Sequence, residues 1–361
     1  MQDAPAKNLV TNDNPVLVEV MRGALVESWH RGAIAVADAD GRCLLARGDV
    51  ERPVFPRSAV KVLQAIPLIE SGAADAFCLG DEELAIACAS HSGDAIHIEA
   101  VRSLLSKAAV DETLLACGAQ WPLDEGAARE LLRAGSNPRP IHNNCSGKHA
   151  GMLATAMHLG IRPQGYEQPD HPVQIEISCV ISELCGVRLA ADQMGVDGCS
   201  VPTFAVPLEA LAKGFARLGA ISRLASPHQV AARRLMQACF AGPVLVAGNG
   251  RFDTVAMTGL APSVFVKGGA EGVHCAALPE LGIGIALKID DGAKRGGETA
   301  MAHVLAALMP KARAVLADLL EGDLRNGRGH KIGRIRAGAT LEESLAALAW
   351  RHHLVPNRML R

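Results

Sequence analysis

Strand-like segments stand at the two ends of this chain and helical ones fill its middle. That distribution limits the fold more than any other feature of the sequence. LVEV with its flanks (16–20), AIAVAD (33–38) and CLLARG (43–48) are β-type apolar runs, the last two joined around Asp40-Gly41, a hairpin signal. SVFVKGG (263–269) and GIGIALKIDDG (282–292) repeat the pattern near the other end, and the segment around Arg325 predicts a turn and a final strand. Between them the spacing predicts helices over 96–110, 125–135, 147–160 and 207–219, with another over 296–309. A helix beginning near Ser58 carries Val62, Ile66 and Ile69 at helical spacing, ends at Gly72 and is expected to kink at Pro67. The expectation is an α+β chain whose antiparallel sheet is fed by both termini, with a large helical region inserted. Its sheet lobe would hold 16–56 and 245–338, its helical lobe 57–244, and residues 339–361 would form one more helix of unassigned role. There is no steady βαβ alternation and no G-x-G-x-x-G after a strand, which argues against a dinucleotide fold.

Composition narrows the function. A net charge of −2 with no long basic run excludes a nucleic-acid footprint. With aromatics at 3%, the core must be aliphatic. The first fifteen residues contain no apolar stretch of the kind a secretory signal needs, and no apolar run reaches membrane-spanning length. A cytoplasmic location is therefore expected, with the 10 cysteines mostly free. Cys78, Cys88 and Cys239, set among apolar neighbours, are expected in the core. No CxxC pair occurs, so any metal site must be assembled from distant segments.

Five segments could carry chemistry. Ser58 and Lys61, at i and i+3 on a helix, face the same way, so the amine can reach the hydroxyl and serve as its base. A helix N-cap is the plainer account of Ser58, but Arg57 and Lys61 add positive charge where an anion would develop. Ser90 and Ser92 in Cys88-Ala-Ser-His-Ser92 end an apolar run, and His91 between them suits a hydrogen-bonded structural role. Asn144-Cys145-Ser146-Gly147-Lys148-His149 packs a thiol, a lysine and a histidine at a helix start, more than capping needs. Cys199, in a loop bounded by Gly and Pro, could share a zinc ion with Cys145. Lys267 leaves a strand into two glycines and could line a cleft, although taken alone it suits an ordinary surface lysine.

Together these segments resemble the L-asparaginases of the rhizobial, or class 3, type. The resemblance rests on RSAVK (57–61), ASHS (89–92), HNNCSGKHAGML (142–153), DGCSVPT (197–203) and VKGG (266–269), with VESWHRG (26–32), AGNGRFDTVAM (247–257) and GIALKIDDG (284–292) in support. It covers roughly residues 16–338. It implies a fold similar to serine β-lactamases and penicillin-binding proteins, and hydrolysis of L-asparagine to L-aspartate and ammonia. It implies two Ser-Lys tandems, Ser58 with Lys61 and Ser90 with Lys267, and a Zn2+ held by Cys145, Lys148 and Cys199 with water completing the shell. It places Arg57, Asp197, Cys145 and His149 at the substrate and implies a homodimer. The sequence departs from some relatives at Asp253, where they carry a cysteine. A β-lactam-type acyl transferase would share Ser-x-x-Lys, but Ser-Asp-Asn is absent and Gly-Gly follows Lys267 where Thr-Gly is expected. Other small-molecule amidases, or a zinc-binding regulatory protein without turnover, are the remaining alternatives.

Overall fold

In a computed structural model, which describes residues 14–220 and 226–354, the strands from the two ends of the chain meet in one sheet. The N-terminal part contributes β1 (Val16–Arg22), β2 (Leu25–Asp38) and β3 (Cys43–Arg47). The C-terminal part contributes β4 (Phe265–Gly268), β5 (Val273–Leu278), β6 (Ile283–Ile289), β7 (Asp323–Arg325) and β8 (Lys331–Ala337). The order is β7-β8-β1-β2-β6-β5-β4, with β3 paired to β2 off this path, and every pairing is antiparallel. The 14-residue β2 joins the two halves. Its first residues pair with β1, and Gly32–Asp38 pair with β6. The architecture is thus mixed α/β around an antiparallel sheet.

Alternation along β5 decides which side chains face which layer. Ala277 lies against Gly219 at the end of the helix Leu208–Gly219, which covers one face of the sheet. A Cβ at Gly284, the cross-strand partner of Ala277, would collide with the Ala212 carbonyl, so that glycine lets helix and sheet close. His274, on the opposite parity, abuts Gly297 of the helix Lys294–Leu308 on the other face. Lys267 pairs across to Cys275 and therefore shares the first face. The helix Ala339–Leu354 packs on Lys294–Leu308, β1 and β3, burying Leu341, Leu345 and Leu348. The tail beyond residue 354 lies outside the described residues.

The helix starting near Ser58 is broken as Pro67 requires. A 3-10 turn over Arg57–Val60 leads into Lys61–Gln64, and a second segment, Ile66–Glu70, has proline in its first turn. Cys88 and Cys239 are buried, but Cys78 is exposed. Its φ of 50° places it in a left-handed turn after the helix Ala73–Ala76, which swings the thiol outward. All ten cysteines are free. Among the described residues no helix is long and apolar enough to cross a membrane.

Candidate active site

The 3-10 turn begins with strain. Arg57 has φ 52°, a left-handed conformation that disfavours a side chain. Ser58 follows it in the turn and is half-buried. Arg57 Nε donates to Asp197 Oδ1 at 2.7 Å, and Asp197 also accepts the Gly198 N–H at 2.8 Å. Burial works against the Asp197 charge, yet Lys148 and Arg57 together hold its carboxyl below the usual range. The loop carrying Asp197 closes through a second left-handed residue, Ser200, at φ 78°.

Lys61 is fully buried. Its Nζ donates to the Ala89 carbonyl at 2.5 Å, the Asn144 carbonyl at 3.3 Å and the Cys145 sulfur at 3.1 Å. One amine thus gathers the segments around Ser58, Ser90 and Cys145. The Lys61 backbone N–H donates to the Ser58 carbonyl, but among the described residues no hydrogen bond joins the Lys61 amine to the Ser58 hydroxyl. The helix Ser146–His158 follows Cys145, and Gly147 lets its first turn lie on the Ile86 carbonyl, where a Cβ would collide.

The Cys145 thiol donates to Asn144 Oδ1 at 3.0 Å beside Cys199, and Lys148 Nζ donates to Cys199 Sγ at 3.1 Å. The Cys145, Cys199 and Lys148 side chains are buried. Cys199 beside it pushes the Cys145 thiol well below its ordinary pKa, helped by Lys61 and Lys148 against burial. Cys145 and burial push the Cys199 thiol up. Burial opposes charge on Lys148, but Cys199, Cys145 and Asp197 outweigh it and raise its pKa. Among the described residues no three His, Cys, Asp or Glu side chains converge as a metal-ligand set. Any ion here would need the lysine as a donor.

Ser90 is buried, and its hydroxyl has no hydrogen-bond partner. Its backbone is fixed: the N–H donates to the Val246 carbonyl at 2.9 Å, and its carbonyl accepts from Arg251 at 2.6 Å. Lys267 is fully buried and donates to the Gly268 carbonyl at 2.9 Å, with Asp253 Oδ2 at 3.4 Å. Burial, with Lys61 and Arg251 nearby, brings its pKa down to about 8 despite Asp253. Ser90 and Lys267 are not hydrogen-bonded to each other. The Lys267-Gly268-Gly269 strand end runs beside the Ser58 turn, since a Cβ at Gly269 would come 2.7 Å from the Pro56 oxygen and 3.2 Å from the Ala59 nitrogen.

His91 is buried with Nε2 on Ser146 Oγ at 2.9 Å, and burial holds it well below its ordinary pKa. Ser92 donates to the Ala247 carbonyl. His149 is also fully buried, its Nδ1 bonded to the Tyr166 hydroxyl at 2.5 Å, so that ring nitrogen serves an internal partner. Reading residue types in sequence did not single out Arg251 or His274. The glycine-flanked AGNGRFDT loop around Arg251 was a signal that side chains come close there.

Among solved structures the chain has distant, loose similarities. The native form of Mglu shares 17% identity over 86% of this chain and 70% of its own, with a TM-score of 0.43. A simvastatin synthase from Aspergillus terreus shares 12% identity over 75% of this chain and 90% of its own, at 0.36. Likeness this loose carries no argument about either. No curated protein matches the chain. The family model for L-asparaginase II does match, over residues 18–337, which includes every residue of the cleft just described. The chain belongs to the L-asparaginase II family and is an L-asparagine amidohydrolase.

Proposed function

We propose that this enzyme cleaves the side-chain amide of L-asparagine by acyl transfer to Ser58. One observation carries the assignment of roles: the strained Arg57 presents Ser58 on a turn flanked by the buried amines of Lys61 and Lys267. The Ser58 hydroxyl adds to the amide carbon, and its proton passes to Lys61. The nitrogen leaves as ammonia after taking a proton back, and water then releases aspartate from the acyl-serine. Ser90 and Lys267 relay the proton to the leaving nitrogen. Direct Ser-Lys hydrogen bonds are not needed beforehand, because such contacts commonly tighten only with substrate bound. Arg57 suits the substrate carboxylate and Asp197 its ammonium group. Cys145 and His149 complete the proposed substrate pocket.

Cys145, Lys148 and Cys199 fit a Zn2+ ion: two sulfurs and an amine are buried together, and such donors suit zinc. When bound, the ion supplies positive charge that holds the Cys145 and Cys199 loops beside the substrate. A Lys148→Met variant, measured for metal content, is expected to hold well under one ion per chain; a full complement removes Lys148 from the ligand set.

A second reading makes Ser90 the nucleophile. Its unpartnered hydroxyl and the pKa of about 8 at Lys267 favour it. Ser58→Ala and Ser90→Ala variants, assayed for ammonia and by mass spectrometry of a trapped acyl-enzyme, separate the two. Full turnover by Ser58→Ala ends the first reading.

The inserted helical region and the Ser-x-x-Lys turn facing the sheet edge support a β-lactamase-like arrangement. Ten free thiols support a reducing, cytoplasmic compartment. A homodimer follows from the family resemblance and is read out by sedimentation.

A further inference from the structure

We propose that Asp253, which belongs to neither Ser-Lys pair, is a positioning residue whose buried carboxylate aims the Lys267 amine and decides in which charge state it waits. The inference rests on the reading of Lys267 as proton-transfer partner of Ser90.

Asp253 sits in the first turn of the helix Phe252–Leu260 and is 4% exposed. Its Oδ2 accepts the Gly268 N–H at 3.0 Å and lies 3.4 Å from Lys267 Nζ. One oxygen therefore grips both the amine and the backbone that carries it. Gly268 makes this approach open: a Cβ there would lie 3.4 Å from Asp253 Oδ1 and 3.2 Å from His274 Nε2. A carboxylate this deeply buried is a poor way to stabilise a fold, since desolvation offsets the attraction. Its placement is better explained by what it does to the amine.

The charged and titratable groups facing Lys267 are Asp253, Lys61, Arg251 and the Cys239 and Cys275 thiols. His274 and Glu298 face the same cluster from β5 and from Lys294–Leu308. Burial first, then Lys61 and Arg251, drives the amine toward neutrality, and Asp253 opposes them. Burial lowers His274 to about 4, so that ring is neutral and leaves the carboxylate uncancelled. Burial works against the Asp253 charge too, but Lys267 and the Gly268 N–H hold its carboxyl below the usual range. The result is an amine whose pKa is brought down to about 8. In the relay, the neutral Lys267 Nζ takes up the proton that Lys61 received from Ser58, then hands it to Ser90 Oγ while the Ser90 Oγ–H passes to the departing nitrogen. Amine and serine both end as they began, so no charge is left behind.

The test is the pH profile of kcat/KM for asparagine in the intact enzyme. Removing the carboxylate should free the amine of its proton at lower pH. With Asp253→Asn, the acid-side limb is expected to move down by roughly 1–3 pH units, the range for loss of a close opposite charge. KM should stay within about twofold, because the carboxylate is buried and its Oδ2 is already engaged by Gly268 and Lys267. Asp253→Glu, which keeps the charge, is expected to retain the wild-type limb. If Asp253→Asn does not fold, Asp253→Ser is read in the same way. An unmoved limb in the uncharged variants, or an equal shift in Asp253→Glu, overturns the inference. Lys267→Met separates this from the underlying reading: full turnover there sinks the role of Lys267 itself. Loss of turnover there with an unmoved limb in Asp253→Asn sinks only the role of Asp253.

Discussion

Arg57 combines a backbone penalty with an ion pair, and the two make different demands. A left-handed non-glycine residue costs on the order of 1–3 kcal/mol, and its persistence beside Ser58 shows that neighbours hold it there. Asp197 is one of them, through the 2.7 Å bond to Nε. Lysine has no counterpart to Nε, so Arg57→Lys is expected to raise KM for asparagine at least tenfold. The pair is partly solvated, and the change in stability should stay within about 1 kcal/mol. Steady-state kinetics with a parallel thermal melt checks both. At Lys267 the sign of the pH effect follows from its lowered pKa. A lysine needed as a neutral base is about a tenth deprotonated at pH 7 when its pKa is about 8, so wild-type turnover should climb between pH 6 and 8.5. A flat profile over that range counts against Lys267 as a base.

At the scale of elements, two contacts between helices decide whether the cleft loops stay together. Gly147 begins the helix Ser146–His158 and brings it onto the helix Asp81–Ala87 that leads to Ser90. Gly147→Ala forces a Cβ into the Ile86 carbonyl, and overpacking of that kind costs about 1–3 kcal/mol. Urea unfolding should show that loss, and undiminished stability would mean the helices separate without penalty. The second contact is His228, in the helix Ser226–Ala241, which bonds to both Glu70 and Glu183. Burial opposes its charge, but the two carboxylates prevail and raise its pKa. A raised folded pKa gives stability that is complete below the unfolded value near 6.5. It disappears as pH rises through the folded value. His228→Gln should therefore lower the melting temperature at pH 6 and leave it nearly unchanged at pH 9.

For the molecule as a whole, the sheet depends on segments from opposite ends of the chain, and the helix Ala339–Leu354 closes one face of it. Leu341 is 1% exposed there. Leu341→Ala is expected to cost about 2–5 kcal/mol, as buried leucine truncations do. Because sheet and cleft share β4 and β5, turnover should fail at a lower temperature in parallel with the melt. An unchanged melting temperature would show that the last helix is an appendage.

What the sequence determined alone is local. Spacing of apolar residues showed most helices, the Asp40-Gly41 hairpin, the break at Pro67 and the sheet-ends-with-helical-middle plan. These need only neighbours three, four or two positions away. The helices Pro172–Cys185, Ser226–Ala241 and Phe252–Leu260 and the strand β5 escaped that reading. VHCAAL is buried on both faces, so its apolar residues are continuous and carry no period. The residues of the cleft were visible as a set only through family resemblance. Their arrangement was not visible at all. Lys61 meets Cys145 across 84 positions, and Lys267 meets Asp253 because β4 returns beside the helix Phe252–Leu260. Charge states in the cleft come from burial and from those encounters. Neither is a property of any short stretch of chain, and so only the tertiary structure could decide them.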